Sequence, residues 1–262
     1  MDVAETDLLC TAITRQKGHG VMAKRTVKPG IELIRSIPLF SAISDQACAE
    51  LAAAATLRQV AARTVLFTED GKADNLYIVL KGSAELFSER DERYCTLAVA
   101  CSMKPLALCA VLTGHNTLSA RALEACGLIV VPATLVIELF GRDPAFARAV
   151  VDELASECRE LVEDFKNHRL RSTIERVAHW MLRGDRKSGD TGHIVIPFDK
   201  RVLASYLGMA PEHLSRSFSA LASAGVEVHG RSVTLNDRAA LSEAAGMDVP
   251  VPERFLPPPK KT

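Results

Sequence analysis

The sequence predicts an α+β chain in three successive parts: a run of short strands, one long helix, and two short helices closed by a hairpin. Three observations carry this prediction. Residues 60–140 are punctuated by Asp70-Gly71, Lys81-Gly82 and Arg90-Asp91, turn dipeptides at the spacing of short antiparallel strands. After Asp143-Pro144, small or apolar residues recur at alternating steps of four and three. Further on, KRVLASYLGMAPEHLSRSFSAL has the layout of a helix-turn-helix, with VEVHGRSVTL behind it.

The 262 residues leave room for one large domain or two ordinary ones. With 48% hydrophobic and 24% charged residues the composition is globular. No uninterrupted apolar run reaches about 18 residues, so no membrane span is predicted. The first residues, MDVAETDLLC, are acidic where a signal peptide begins basic, and a cytoplasmic location is expected. Seven cysteines, an odd number without paired CxxC spacing, suit a reducing compartment. A net charge of zero argues against coating nucleic acid by bulk attraction. Residues 169–238 nevertheless hold eleven Lys/Arg against seven Asp/Glu, so positive charge gathers toward the C-terminal side.

Element by element, residues 1–33 lack periodicity and read as a flexible arm. Ser44-Asp45 is a helix start before the Ala-rich QACAELAAAA. Over 34–142 the short strands, with further runs in LSARALEA and GLIVVPA, suggest a sandwich or a barrel-like roll. The long helix, 143–168, sets Ala147, Val151, Leu154, Cys158, Leu161 and Phe165 on one narrow stripe flanked by charge. That is the a/d pattern of a dimer seam; a helix packed on its own domain is the alternative. A hinge is expected near His168–Thr173. Residues 169–241 form the next domain: STIERVAHWMLR helical with Val177, Trp180 and Met181 inward, GDRKSGDTG a loop, HIVIPF a strand. The tail, 242–262, is proline-rich and expected to be disordered.

Within the helix-turn-helix, small Ala204 fits the helix crossing and Gly208 the turn. Leu203, Leu207, Leu214 and Phe218 fit the joint core, and Pro211 the first turn of the second helix. Glu212, Ser215, Arg216 and Ser219 then face outward, at positions that enter the major groove in such motifs. His213, Lys200 and Arg201 are grouped with them as DNA contacts. Arginine offers paired donors to guanine, a carboxylate accepts from the cytosine amino group, and serine reaches base or phosphate. Glu212 and Arg216 also lie four apart, the spacing of an ordinary surface ion pair.

LYIVLKGSAELF, the long acidic-flanked helix and GMAPEHLSRSFSALASAGVEVHGRSVTL together resemble the Crp/Fnr family of bacterial transcription regulators, over roughly residues 34–241. The resemblance implies a cyclic-nucleotide-binding-like β-roll, a dimerisation helix and a C-terminal winged helix-turn-helix. It further implies a homodimer on palindromic double-stranded DNA, with RNA polymerase as a partner. E-x-x-S-R is similar to the Fnr branch, which reads TTGAT half-sites in an inverted repeat, and makes Glu212, Ser215 and Arg216 the base-contacting trio. Pro211 before that Glu resembles the nitric-oxide and denitrification subgroup.

The sensor half departs from the family's best-known patterns. KPLALCAVLTGHNTLSARALEA has no Gly-Glu pair for a cyclic nucleotide, Asn116 stands near the phosphate-binding Arg position, and Arg121 matches a separate position. cAMP is therefore not expected. A 4Fe–4S cluster is not expected either, since the N-terminal region offers only Cys10. Haem stays a candidate through the nitric-oxide resemblance. Cys109 lies where a carbon monoxide sensor of the family has a ligand, but Val111 replaces the His that should follow. Thiol switching would draw on Cys95, Cys101, Cys109, Cys126 and Cys158, although free cysteines more often pack as small hydrophobes. No phosphate loop, metal-spaced set or nucleophile–base arrangement points to an enzyme. The competing classes are thus a DNA-binding regulator and, as the alternative, a ligand-binding or thiol-sensing module whose DNA binding ignores the signal, or an unrecognised enzyme.

Overall fold

A computed structural model describes residues 27–246, apart from residues 92 and 102. The predicted arm lies outside the described residues as far as residue 26, and the predicted tail from residue 247 onward. The chain divides into two compact units, Met1–Glu157 and Cys158–Thr262. The boundary falls inside the long helix, where the sequence suggests a separate segment.

The first unit opens with α1 (Ile31–Ser36), whose first three residues fall in the stretch read as the arm, and a 3-10 turn (Pro38–Phe40). α2 (Asp45–Ala54) starts at the predicted cap: the Ser44 hydroxyl accepts from the Ala47 amide at 3.3 Å. The strands are β1 (Thr56–Val60), β2 (Val65–Phe67), β3 (Asn75–Lys81), β4 (Ala84–Arg90), β5 (Arg93–Ala100) and β6 (Pro105–Leu106). After α3 (Leu108–Thr113) come β7 (Ser119–Ala122) and β8 (Cys126–Pro132). They pair antiparallel in two sheets, ordered β1-β8-β3-β6 and β2-β7-β4-β5, the β-roll that was predicted. Each turn dipeptide holds a left-handed residue: Asp70 (φ 63°), Gly82 (φ 88°) and Asp91 (φ 49°). Gly82 is also required by contact, because a Cβ there would stand 2.8 Å from the Ala125 carbonyl oxygen.

Val79, Ala84, Leu106, Ala120, Ala122, Cys126 and Leu128 fill one apolar cluster of the roll. A larger core joins Ile34, Phe40, Leu51, Ile78 and Ile129 to α4 (Ala133–Arg142), through Val136 and Leu139. Phe146 and Val150 of α5 (Pro144–Leu170) belong to the same core. Asp143 fixes the start of α5. Its carboxylate accepts from the Phe146 amide at 3.0 Å, and from the Ser44 amide and hydroxyl at 3.0 and 2.7 Å. These hydrogen bonds, the Phe146 amide foremost, hold its pKa below the usual carboxylate value.

In the second unit α6 (Thr173–Lys187) begins with a capping box, Ser172 and Glu175 each bonding the other's backbone amide. Val177 and Met181 are fully buried and Trp180 partly so. The loop expected at GDRKSGDTG is a correction: α6 continues through Lys187 and buries Asp185 completely. The Asp185 carboxylate accepts from the Gly192 amide at 2.8 Å and pairs with Arg238 at 2.7 Å. A polar residue that reads as loop is thus an internal brace. β9 (His193–Val195), α7 (Lys200–Tyr206) and α8 (Pro211–Leu221) follow, then β10 (Val226–His229), β11 (Ser232–Leu235) and α9 (Arg238–Ala244). The wing is a sheet of three strands, β10-β11-β9, so the strand predicted in HIVIPF joins the predicted hairpin. α9 reaches into the stretch read as the tail.

Candidate nucleic-acid interface

The sequence of α8 sorts its side chains cleanly. Leu214, Ser217, Phe218 and Leu221 are buried, whereas Pro211, Glu212, His213, Ser215, Arg216 and Ser219 are exposed. Leu203, Ala204 and Leu207 of the preceding helix and turn are buried beside them. Gly208 makes the turn at φ 62°, and Pro211 occupies the first turn of α8, where its missing N–H removes no helical bond. Ala210 at the N-cap supplies no side-chain acceptor, but its carbonyl accepts from the His213 and Leu214 amides at 3.0 and 3.1 Å.

Glu212 and Arg216 do not make the ion pair their spacing allows; among the described residues neither has an ionic partner. The Ser219 hydroxyl turns back to the Ser215 carbonyl at 3.2 Å. Lys200, exposed at the start of α7, holds its ammonium 5.4 Å from the centre of the Phe218 ring, and Arg201 beside it is exposed. At the wing, Arg231 donates to the Ile196 carbonyl at 2.7 Å, next to Gly230 at φ 62°.

The stripe on α5 divides. Leu154 is partly buried and, like Ala149, packs against the roll core. Ala147 is partly buried. Val151, Leu161 and Phe165 are 52, 57 and 62% exposed, and Cys158 between them is exposed. Arg169 lies over the Phe165 ring at 5.4 Å.

Sequence reasoning missed the polar groups where α5, α6 and α7 meet in the second unit. Asp164 accepts from Arg183 at 2.8 Å and from the Tyr206 hydroxyl at 2.7 Å, and Arg183 also donates to that hydroxyl. Burial drives the Tyr206 pKa up strongly. Asn167 contacts the His179 ring at 3.2 Å and accepts from Arg171 at 2.8 Å. Arg176 reaches the His168 ring at 3.5 Å, and its own Nε is buried without a partner. Burial, and then the Arg176 charge, lower the pKa of His168; burial, and then Arg171 and Arg183, lower that of His179. Only a weak signal could have found this group: polar residues recurring on the helix faces that also carry the core.

In the roll, Asn116 is buried and donates to the Thr68 and Lys72 carbonyls, both at 3.3 Å. Its amide therefore staples a loop. Arg121 donates to the fully buried Glu85 at 2.8 and 2.6 Å, and lies 4.8 Å from the Phe87 ring centre. Tyr94 also donates to Glu85; burial, and then that carboxylate, push the phenol up to about 12. Cys126 is buried, but Cys95, Cys101 and Cys109 are exposed, which corrects the expectation that thiols of the roll pack as small hydrophobes. Among the described residues no three His, Cys, Asp or Glu side chains are grouped to hold a metal ion, and no helix is long and apolar enough to cross a membrane.

Two family models match the chain: a cyclic nucleotide-binding domain over residues 57–143 and a Crp-like helix-turn-helix domain over residues 175–244. The nitrogen fixation regulation protein FixK of Azorhizobium caulinodans is 26% identical over 205 residues, 73% of this chain and 79% of that protein. The structure of FixK2 from Bradyrhizobium japonicum covers 75% of this chain and 98% of its own, at 22% identity and a TM-score of 0.68. The c-di-GMP responsive regulator CLP of Xanthomonas campestris has the same fold at 17% identity and a TM-score of 0.61, covering 73% of this chain and 99% of that one. With a β-roll, a long helix and a winged helix-turn-helix in that order, and both family models matched, this chain belongs to the Crp/Fnr family of DNA-binding transcription regulators.

Proposed function

We infer that the chain acts as a homodimer that reads an Fnr-type inverted repeat of TTGAT half-sites through Glu212, Ser215 and Arg216. The observation that carries this reading is the pair Glu212 and Arg216, exposed on one face of α8 and not joined to each other. An acceptor and a bidentate donor left apart suit base edges, where a mutual ion pair would cancel both. His213, Ser219, Lys200 and Arg201 surround them as further contacts, and the exposed Val151, Leu161 and Phe165 form the two-fold seam. RNA polymerase is the further partner.

The sensor reading follows from the roll. A cyclic nucleotide is not part of this reading: Asn116, near the phosphate-binding Arg position, has its amide engaged with the Thr68 and Lys72 carbonyls. A 4Fe–4S cluster is likewise not part of this reading. Exposed Cys95, Cys101, Cys109 and Cys158 favour a second reading, control through thiol chemistry. Haem, with a nitric oxide response, is the third.

Binding to the repeat and to base-substituted versions tests the main reading. Arg216→Ala should cost about 1–3 kcal/mol and relax preference at one position of each half-site. Equal loss on every sequence would reduce Arg216 to a phosphate contact. Absorbance spectra of the anaerobic protein with haem and nitric oxide, read beside DNA affinity, separate the haem and thiol readings.

A further inference from the structure

The turn that aims the recognition helix rests directly on the last turns of the long helix. Two contacts inside the second unit make this connection. The Tyr206 hydroxyl, at the end of α7, donates to Asp164 of α5 at 2.7 Å and accepts from Arg183 of α6. Gly208, two residues on, lies against the His168 ring: a Cβ there would stand 2.8 Å from two imidazole atoms. The positive φ of Gly208 and this close approach each demand glycine.

We propose that Tyr206, Asp164 and His168 form a polar latch that positions the recognition helix for DNA, so that movement of the long helix reaches α8 through the helix-turn-helix turn itself. Arg171 and Ser172, which link α5 to α6, then act as a tether rather than the transmitting hinge expected near His168–Thr173. The chemistry favours a latch over a general stabiliser. Tyr206 is largely shielded, and its hydroxyl is satisfied only by accepting from Arg183 while donating to Asp164, which sets one relative position of three helices. Removing the hydroxyl leaves the 2.8 Å Asp164–Arg183 ion pair standing and the ring volume unchanged. Tyr206→Phe therefore releases α7 from α5 with little loss of packing. Tyr206, Asp164 and His168 are positioning residues, since none lies on the exposed face of α8.

This inference rests on the DNA-reading function above, and the test separates the two. The full-length wild type and Tyr206→Phe are compared on inverted repeats whose half-sites are moved apart or together by one base pair at a time. Hydrogen exchange of residues 203–214 is followed without DNA. The wild type is expected to prefer one spacing. Tyr206→Phe should show at most a modest fall in melting temperature, keep its base preference within a half-site, lose about tenfold of the spacing preference, and exchange faster over 203–214. Asp164→Asn should act in the same direction, and combining the two should add little. Unchanged spacing preference and unchanged exchange in Tyr206→Phe would overturn the latch. A wild type that binds no repeat would overturn the DNA reading instead, and the exchange comparison would still decide whether Tyr206 holds the turn.

Discussion

Truncating Phe165 to alanine tests the seam most directly. The ring is 62% exposed in the single chain. A phenylalanine covers about 150–250 Å² when fully buried, so pairing can remove about 90–150 Å² per copy from water. At about 25 cal/mol per Å² that is about 2–4 kcal/mol for each of the two copies in a dimer. Alanine keeps its Cβ, and association returns only part of buried area as affinity. We therefore expect Phe165→Ala to weaken dimerisation by at least about 2 kcal/mol, roughly thirtyfold in the dimer dissociation constant. Sedimentation equilibrium over a range of protein concentrations measures this, with Arg148→Ala as the control. Among the described residues Arg148 pairs only with Asp152 four residues on, and its side chain is 79% exposed. A dissociation constant for Phe165→Ala within about threefold of the wild type would show that the ring is not part of the seam.

Two further outcomes follow from backbone and proton balance. Ala107 sits at φ 50°, ψ 49°, immediately before α3, a conformation glycine adopts without strain. Ala107→Gly should raise stability by up to about 1 kcal/mol, read as a higher melting temperature, and an unchanged or lower one would refute the strain argument. His168 and His179 both have pKa values lowered from 6.5 in the folded chain. The unfolded chain therefore takes up their protons first, so their contribution is intact above pH 6.5 and declines as pH falls below it toward the depressed values. Melting temperatures between pH 8 and pH 5 should fall below that point, and the doubly substituted His168→Gln, His179→Gln chain should fall less; equal slopes would sink the assignment.

The parts of this molecule legible in its sequence are those where the backbone dictates the residue. Gly208 and Pro211 mark a left-handed turn and a helix start, and small Ala204 marks a fully buried crossing, so the helix-turn-helix could be placed residue by residue. Ser44 and the turn dipeptides are legible for the same reason. Buried polar groups escaped, because their partners are distant in the chain. Glu85 is joined to Arg121 across 36 residues, and Tyr206 to Asp164 across 42, at separations no periodicity reveals. Asp185 read as loop because aspartate favours turns; its burial depends on Arg238 and the Gly192 amide. A stripe of apolar residues does not say which surface covers each of them, and Leu154 packs partly on the roll core.

That division of the stripe bears on how a signal could travel. α5 has 27 residues, about 40 Å of continuous helix. Phe146, Val150 and Leu154 tie its first turns to the roll core. Val151, in the same turns, points to solvent with Leu161 and Phe165 further along, and Asp164 and His168 meet the turn before the recognition helix. Within the second unit Leu161 and Phe165 of the stripe and Asp164 of the latch lie on the same turns of α5, so a rotation of that stretch would alter both together. The two need not be linked by any separate path. Seam and latch substitutions should then fail to combine additively on DNA affinity, since each perturbs the setting of one helix. Additive losses for Phe165→Ala and Tyr206→Phe, measured on the preferred repeat at protein concentrations where both remain dimeric, would mean that dimer formation and recognition-helix placement are independent.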